Sequence, residues 1–217
     1  MEPVTRKETL LARVRAALGV HAGAVGPGGD PASMPQDPGS GRERIALFRE
    51  RFEETGGTFL EGPFPEAVLP VLGDTLRTAG VLALTFPEDD ERAARLGQAL
   101  VPLGPFRIAS AEELRRPGPP VTAGIQTAEF AIGETGTIVQ TSRGGKTLLP
   151  GLLTDVHVAL LPSGIFCAGM EECLRTLSAD PPRNISLITG PSRTADIELT
   201  LTIGVHGPRG VIAILLP

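Results

Sequence analysis

The sequence predicts an α/β fold, a mainly parallel sheet with helices packed on both faces. Three observations carry that prediction. From Gly41 onward, segments with helical apolar spacing alternate with short strand-like segments. The runs "VLALTF", "VHVALLP" and "GVIAILLP" are predominantly apolar, as in strands covered on both faces. A chain of 217 residues with 41% hydrophobic content can bury one substantial core.

Taken in order, "TRKETLLARVRAALG" opens the chain with Leu10, Leu11, Val14, Ala17 and Leu18 at helical spacing and Gly19 as its stop. Its opposite face is basic, through Arg6, Lys7, Arg13 and Arg15. Residues 20–41 are dense in Gly and Pro and nearly free of bulky apolar side chains. They cannot bury enough surface to offset their ordering entropy, so they read as a flexible linker. The helix of residues 1–19 is thus an appendage. It is free to dock on residues 42–217, on a second copy of the chain in a homo-oligomer, or on another protein.

The folded part begins with "RERIALFRERFEETGG", a helix with Ile45, Leu47, Phe48 and Phe52 on one side and Gly56-Gly57 at its end. "TFLEGP" is a short strand. "PEAVLPVLGDTLRTAG" is a helix that Pro70 should shorten or kink. "VLALTF" is the next strand, "DDERAARLGQALVPLG" a helix with acidic residues in its first turn, and "FRIAS" another short strand. In the second half, apolar runs flank "GETGT", and "TDVHVALLP", "NISLITG" and "GVIAILLP" are further strands. "IELTLTI" fits either period. Because it lies between two strands taken as parallel neighbours, a crossover helix is expected here, capped by Thr194 and ended at "HGP".

Composition narrows the function. A net charge of -5, no Trp, no Tyr and eight Phe supply neither a basic field for phosphates nor stacking platforms for bases, so nucleic acid is not an expected partner. The longest apolar run is far shorter than the roughly 18 residues of a membrane span, and Met1-Glu2 opens a charged stretch, so a cytoplasmic protein is expected. Cys167 and Cys173 are the only cysteines. An iron-sulfur cluster takes about four thiolates, so this chain cannot hold one alone, and no cofactor or metal is expected in it.

Two constellations carry candidate chemistry. In "GPSRT", a turn from a strand end into a helix start would present free backbone N–H groups. Arg193 adds a forked cation suited to a carboxylate or phosphate. The same residues also admit a plain structural account, with Ser192 and Thr194 as caps and Arg193 paired to Asp196 or Glu198. His206 would sit at a helix C-terminus, where the dipole alone stabilises it. In "IGETGTIV", Glu134 between two glycines can act as a base or nucleophile, or the segment can be a hairpin turn. "TSRGGKTLLP" is a basic glycine loop, but Gln140 stands five positions before Gly145, where a phosphate loop needs its first glycine.

"IGETGTIV", "LLTDVHVALLP" and above all "GPSRTADIELTLTIGVHGP" resemble the lactate utilization protein C family, whose core is the LUD domain, here residues 42–217. The resemblance implies a three-layer α/β fold similar to the glucosamine-phosphate deaminase, sugar-phosphate isomerase and coenzyme A transferase group. It also implies a role with two iron-sulfur partner proteins in oxidising L-lactate to pyruvate. It lends importance to Glu134, Thr135, Gly136, Thr137, Gly190, Ser192, Arg193, Thr194, Asp196, Glu198, His206 and Gly207. On that reading the chain is a non-redox component that binds its partners and a small anionic carboxylate, held by Arg193 and shaped or titrated by Glu134 and His206. The alternative is a free-standing enzyme on a sugar phosphate or acyl thioester that uses Glu134 as base or nucleophile. A third reading is a structural scaffold.

Overall fold

A computed structural model describes residues 40–110, 112–115, 120–195, 201–203 and 207–217. The expected N-terminal helix and nearly all of the expected linker lie outside the described residues. So do Asp196, Glu198 and His206.

Helix α1 (Gly41–Glu54) starts where Glu43 reaches back to accept from the Ser40 N–H, 2.6 Å away. It ends as expected at Thr55 and Gly56, the glycine taking the left-handed φ of 89°. Strand β1 (Thr58–Leu60) follows, then α2 (Val68–Thr78), β2 (Ala83–Thr85), α3 (Glu91–Leu100) and β3 (Arg107–Ile108). Pro70 shortens α2 without interrupting it. The helix starts only at Val68, so Pro70 falls in the first turn, where its missing N–H has no partner to lose.

Next come β4 (Thr122–Thr127), β5 (Phe130–Ile132), β6 (Thr137–Thr141), α4 (Leu149–Leu152), β7 (Val156–Pro162), β8 (Phe166–Cys167), α5 (Met170–Ser178) and β9 (Ile185–Ile188). The chain closes with β10 (Arg193–Ala195), β11 (Leu201–Ile203) and β12 (Gly210–Leu216).

Six strands form a parallel sheet in the order β1-β12-β7-β4-β2-β3. Helices lie on both faces. On one, Leu72 and Leu76 of α2 and Leu96 and Leu100 of α3 pack with Ile125, Val158 and Ile214 of the sheet. On the other, Phe48 and Phe52 of α1 meet Ala159, Leu161 and Ala213. The alternation of inward residues along each strand assigns these two sets to opposite faces.

A second sheet, in the order β8-β5-β6-β9, shares that second face with α1 through Ala131, Ile138 and Ile188. Its outer side is covered by α5, where Cys173 and Leu177 pack on Ile132, Val139 and Cys167.

The helix expected over "IELTLTI" is corrected. Arg193, Thr194 and Ala195 pair antiparallel with Ile203, Thr202 and Leu201, so Thr194 and the end of that run, Leu201–Ile203, are strand; residues 196–200 lie outside the described residues. A crossover helix is needed only where "NISLIT" and "GVIAILL" are parallel neighbours in one sheet. They belong to different sheets, β9 in the second and β12 in the first, so no crossover helix is required between them.

Candidate functional site

The "GETGT" segment is the β5–β6 hairpin turn. Gly136 takes a φ of 63°, and a Cβ there would stand 2.3 Å from the Phe52 backbone nitrogen, so the turn is pressed onto the backbone of α1. Behind it the hydroxyls of Thr135 and Thr137 lie 2.7 Å apart, and those of Thr137 and Thr189 2.8 Å apart. The Glu134 N–H donates to the Ala168 carbonyl at 3.0 Å. Its side chain is exposed, and Oε2 lies 2.7 Å from where a Cβ on Gly169 would sit, at the start of α5.

The segment after β9 meets the same, C-terminal end of α1. Gly190, with φ 114°, lies against Thr55, whose hydroxyl is 2.6 Å from the position of a Cβ on that glycine. The Ser192 N–H donates to the Pro208 carbonyl at 2.8 Å, and Gly207 faces the Ser192 side chain. Arg193 is exposed and donates to the Thr55 carbonyl at 2.6 Å. Thr137, Thr189, Gly190 and Arg193 therefore gather around the C-terminal end of α1. Glu134 points instead toward Gly169, and no hydrogen bond or ion pair joins it to Arg193.

The carboxyl ends of the parallel strands show what the sequence motifs did not. Asp90 caps α3 by accepting from the Ala93 N–H at 3.0 Å, and also accepts from the N–H and hydroxyl of Thr127 at the end of β4. It ties β4 to α3 at the place where the connections of the sheet change direction, the point at which open α/β sheets bind ligands. A cleft of about 590 Å³ opens beside it, lined by Phe86, Glu88, Asp89, Ile108, Ser110 and Thr147. A second, of about 540 Å³, lies on the other side of the segment 146–149, lined by Ser142, Lys146, Leu149, Leu152, Asn184 and Ser186.

Between the two sheets lie three buried polar side chains, Gln126, Gln140 and His157, none more than 2% exposed. Gln126 donates to the Thr147 carbonyl at 2.9 Å, but its Oε1 has no partner, nor has Nε2 of Gln140 or either ring nitrogen of His157. Burial pulls the His157 pKa down from 6.5 to about 4, so the ring is neutral at pH 7. Sequence reading missed all three. The available signal was a polar residue inside an apolar run, His157 in "TDVHVALLP" and Gln140 in "IVQTS".

The thiols of Cys167 and Cys173 are both buried, and Cys167 donates to the Ala131 carbonyl at 3.5 Å. Hydrogen bonding with Cys173, and then burial, push the Cys167 thiol up, which keeps it protonated. Among the described residues, no group of three or more His, Cys, Asp or Glu side chains is placed to hold a metal ion. Nor is any helix among them long and apolar enough to cross a membrane.

Residues 50–216 match the model of the LUD domain. The chain is 30% identical to lactate utilization protein C of Exiguobacterium sp., over 98% of this chain and 96% of that one. It is 28% identical to lactate utilization protein C of Geobacillus thermodenitrificans, over 77% and 72% of the two chains. Among solved structures it is similar to a DUF162 family protein from Deinococcus radiodurans, with a TM-score of 0.57 and 19% identity, covering 83% of this chain and 100% of the other. That likeness supports the α/β fold.

Proposed function

The chain belongs to the LUD domain family, and from that premise we propose that it is a non-redox component of a bacterial L-lactate oxidation system. The observation that carries this reading is the end-to-end likeness to a lactate utilization protein C, which spans 98% of the chain and is not confined to one motif.

Oxidation of lactate to pyruvate releases two electrons and two protons, and the electrons need an acceptor. With two cysteines, this chain falls short of the roughly four thiolates of an iron-sulfur cluster. The reading therefore assigns electron transfer to iron-sulfur partner proteins, and to this chain their assembly and the binding of a small carboxylate.

Deletion of the gene tests the role. Loss of growth on L-lactate, restored by the intact gene, together with copurification of cluster-bearing proteins on the tagged chain, is the expected result. Unimpaired growth on lactate would overturn it. Turnover of a sugar phosphate or acyl thioester by the purified chain alone, abolished by Glu134→Gln, would replace it with a free-standing enzyme.

A further inference from the structure

Arg92, Arg95, Leu96 and Ala99 recur at spacings of three and four residues, so they form one stripe along α3. All four line a cleft of about 420 Å³, within the size range of small-molecule sites. Phe64 and Pro65, in the connection between β1 and α2, line it too, as does Leu216 at the end of β12. The least exposed lining residues are Leu96 and Leu160, at 2% and 1%. The two arginines are the only polar side chains among the described residues that line it.

The fold does not account for those arginines. A helix N-terminus carries partial positive charge, so a cation in the first turn is disfavoured, yet Arg92 is the second residue of α3. It is exposed and makes no hydrogen bond or ion pair among the described residues. Arg95 holds only Glu91, at 3.3 Å, with both side chains more than four-fifths exposed, a pair that contributes little in water. Pro217 also lines the cleft, but neither arginine pairs with it. The apolar lining is open as well, for Phe64 is left 37% exposed.

We propose that this cleft, between α3 and the connection that carries Phe64 and Pro65, binds a carboxylate bearing an apolar chain, with Arg92 and Arg95 on the carboxylate and Phe64, Ala99 and Leu216 around the chain.

Charge and apolar surface in one concavity select that class. A forked guanidinium matches a carboxylate, and an anion beside Arg92 is also attracted by the N-terminal turn of α3. A wholly polar anion would leave Phe64, Ala99 and Leu216 uncovered, and a neutral apolar molecule would leave the two charges unpaired. The stripe also orients the ligand. Arg92 and Ala99 are about 10 Å apart along the helix axis, so the carboxylate lies at the N-terminal end of α3 and an unbranched chain extends toward Ala99. This site stands apart from the lactate-oxidation reading, because lactate carries a single methyl group and cannot fill it.

The test is calorimetric titration of the full chain with butyrate, hexanoate and octanoate, with octanol, octyl phosphate and L-lactate as comparators. It is repeated on the double variant Arg92→Gln/Arg95→Gln and on Ala99→Phe, which fills the cleft. Thermal melting checks that each variant is folded. Octanoate is expected to bind at one site per chain, with affinity rising about two- to fourfold for each added methylene. The double variant should weaken octanoate about tenfold or more, to the level of octanol, and Ala99→Phe should abolish binding. Because both arginines are exposed, their variant keeps the test decisive if Ala99→Phe fails to fold. Octanoate binding that is absent, or unchanged in the variants, would overturn the site. L-lactate binding here as tightly as octanoate would overturn the apolar chain, and octyl phosphate binding tenfold tighter would overturn the carboxylate.

Discussion

The guanidinium of Arg193 donates to the backbone carbonyl of Thr55 at 2.6 Å, joining positions 138 apart where α1 ends. A helix C-terminus carries partial negative charge and carbonyls without intrahelical partners, so a cation there is stabilising. The contact links the turn region after β9 to the helix against which the "GETGT" turn is pressed.

Arg193→Ala is therefore expected to lower stability by about 0.3–1 kcal/mol, because the side chain is exposed and solvent screens the interaction. Urea denaturation measures it. An unchanged midpoint would show that Arg193 adds nothing to the end of α1.

Gly136 and Gly144 separate backbone strain from steric overlap. Both have left-handed φ, 63° and 66°, but a Cβ on Gly144 meets nothing within 4 Å, whereas one on Gly136 would collide with the backbone of Phe52 and Arg51. Gly144→Ala is expected to cost about 1–2 kcal/mol, from strain alone. Gly136→Ala should cost more than about 3 kcal/mol, because α1 must also move. Equal costs in denaturation experiments would mean that the turn does not press on the helix.

Asp90 joins a helix cap to the end of β4, and Asp90→Ala removes both. The cap contributes about 1 kcal/mol, and the Thr127 N–H left without its acceptor about 1–3 kcal/mol more. A total loss of about 2–4 kcal/mol is expected, with Asp90→Asn in between, since one amide oxygen can serve only part of the set. Loss of slowed hydrogen exchange at the Thr127 amide in Asp90→Ala would identify the tie; retained protection would exclude it.

Much of the parallel sheet is legible in the sequence, because strands buried on both faces need predominantly apolar runs; β12 has one without a break, and β7 one broken only by His157. Strand β4 lies between β7 and β2, yet it is spelled "TAGIQT". Its glycine is required because the Pro150 carbonyl lies only 1.8 Å from where a Cβ on Gly124 would be, and its Gln126 points between the sheets. Packing against α4 and a second sheet set those choices, and neither leaves a local periodic signal. The β10–β11 pair was obscured for a related reason. Its alternation was visible, but which sheet each flanking strand joins is a long-range property. The hairpin at "GETGT" was legible as an alternative because glycine-flanked turns are local. The polar groups beneath the segment 146–152 were not, since burial is decided by the second sheet.

His157 makes stability depend on pH in a defined window. Its ring is fully buried, and burial holds its folded-state pKa at about 4 against 6.5 for the unfolded chain. Between those values the unfolded chain takes up a proton that the folded one does not, so stability falls as pH drops from 6.5 toward 4 and is unaffected by this group above 6.5. The full difference corresponds to about 3 kcal/mol, lost progressively across that range. His157→Leu removes the titrating group and, with it, two ring nitrogens that have no hydrogen-bond partner. The variant is expected to show a flatter profile of denaturation midpoint against pH between 4 and 6.5. If wild type and variant fall in parallel over that interval, the acid sensitivity belongs to other groups, and the His157 ring is paired or hydrated in solution.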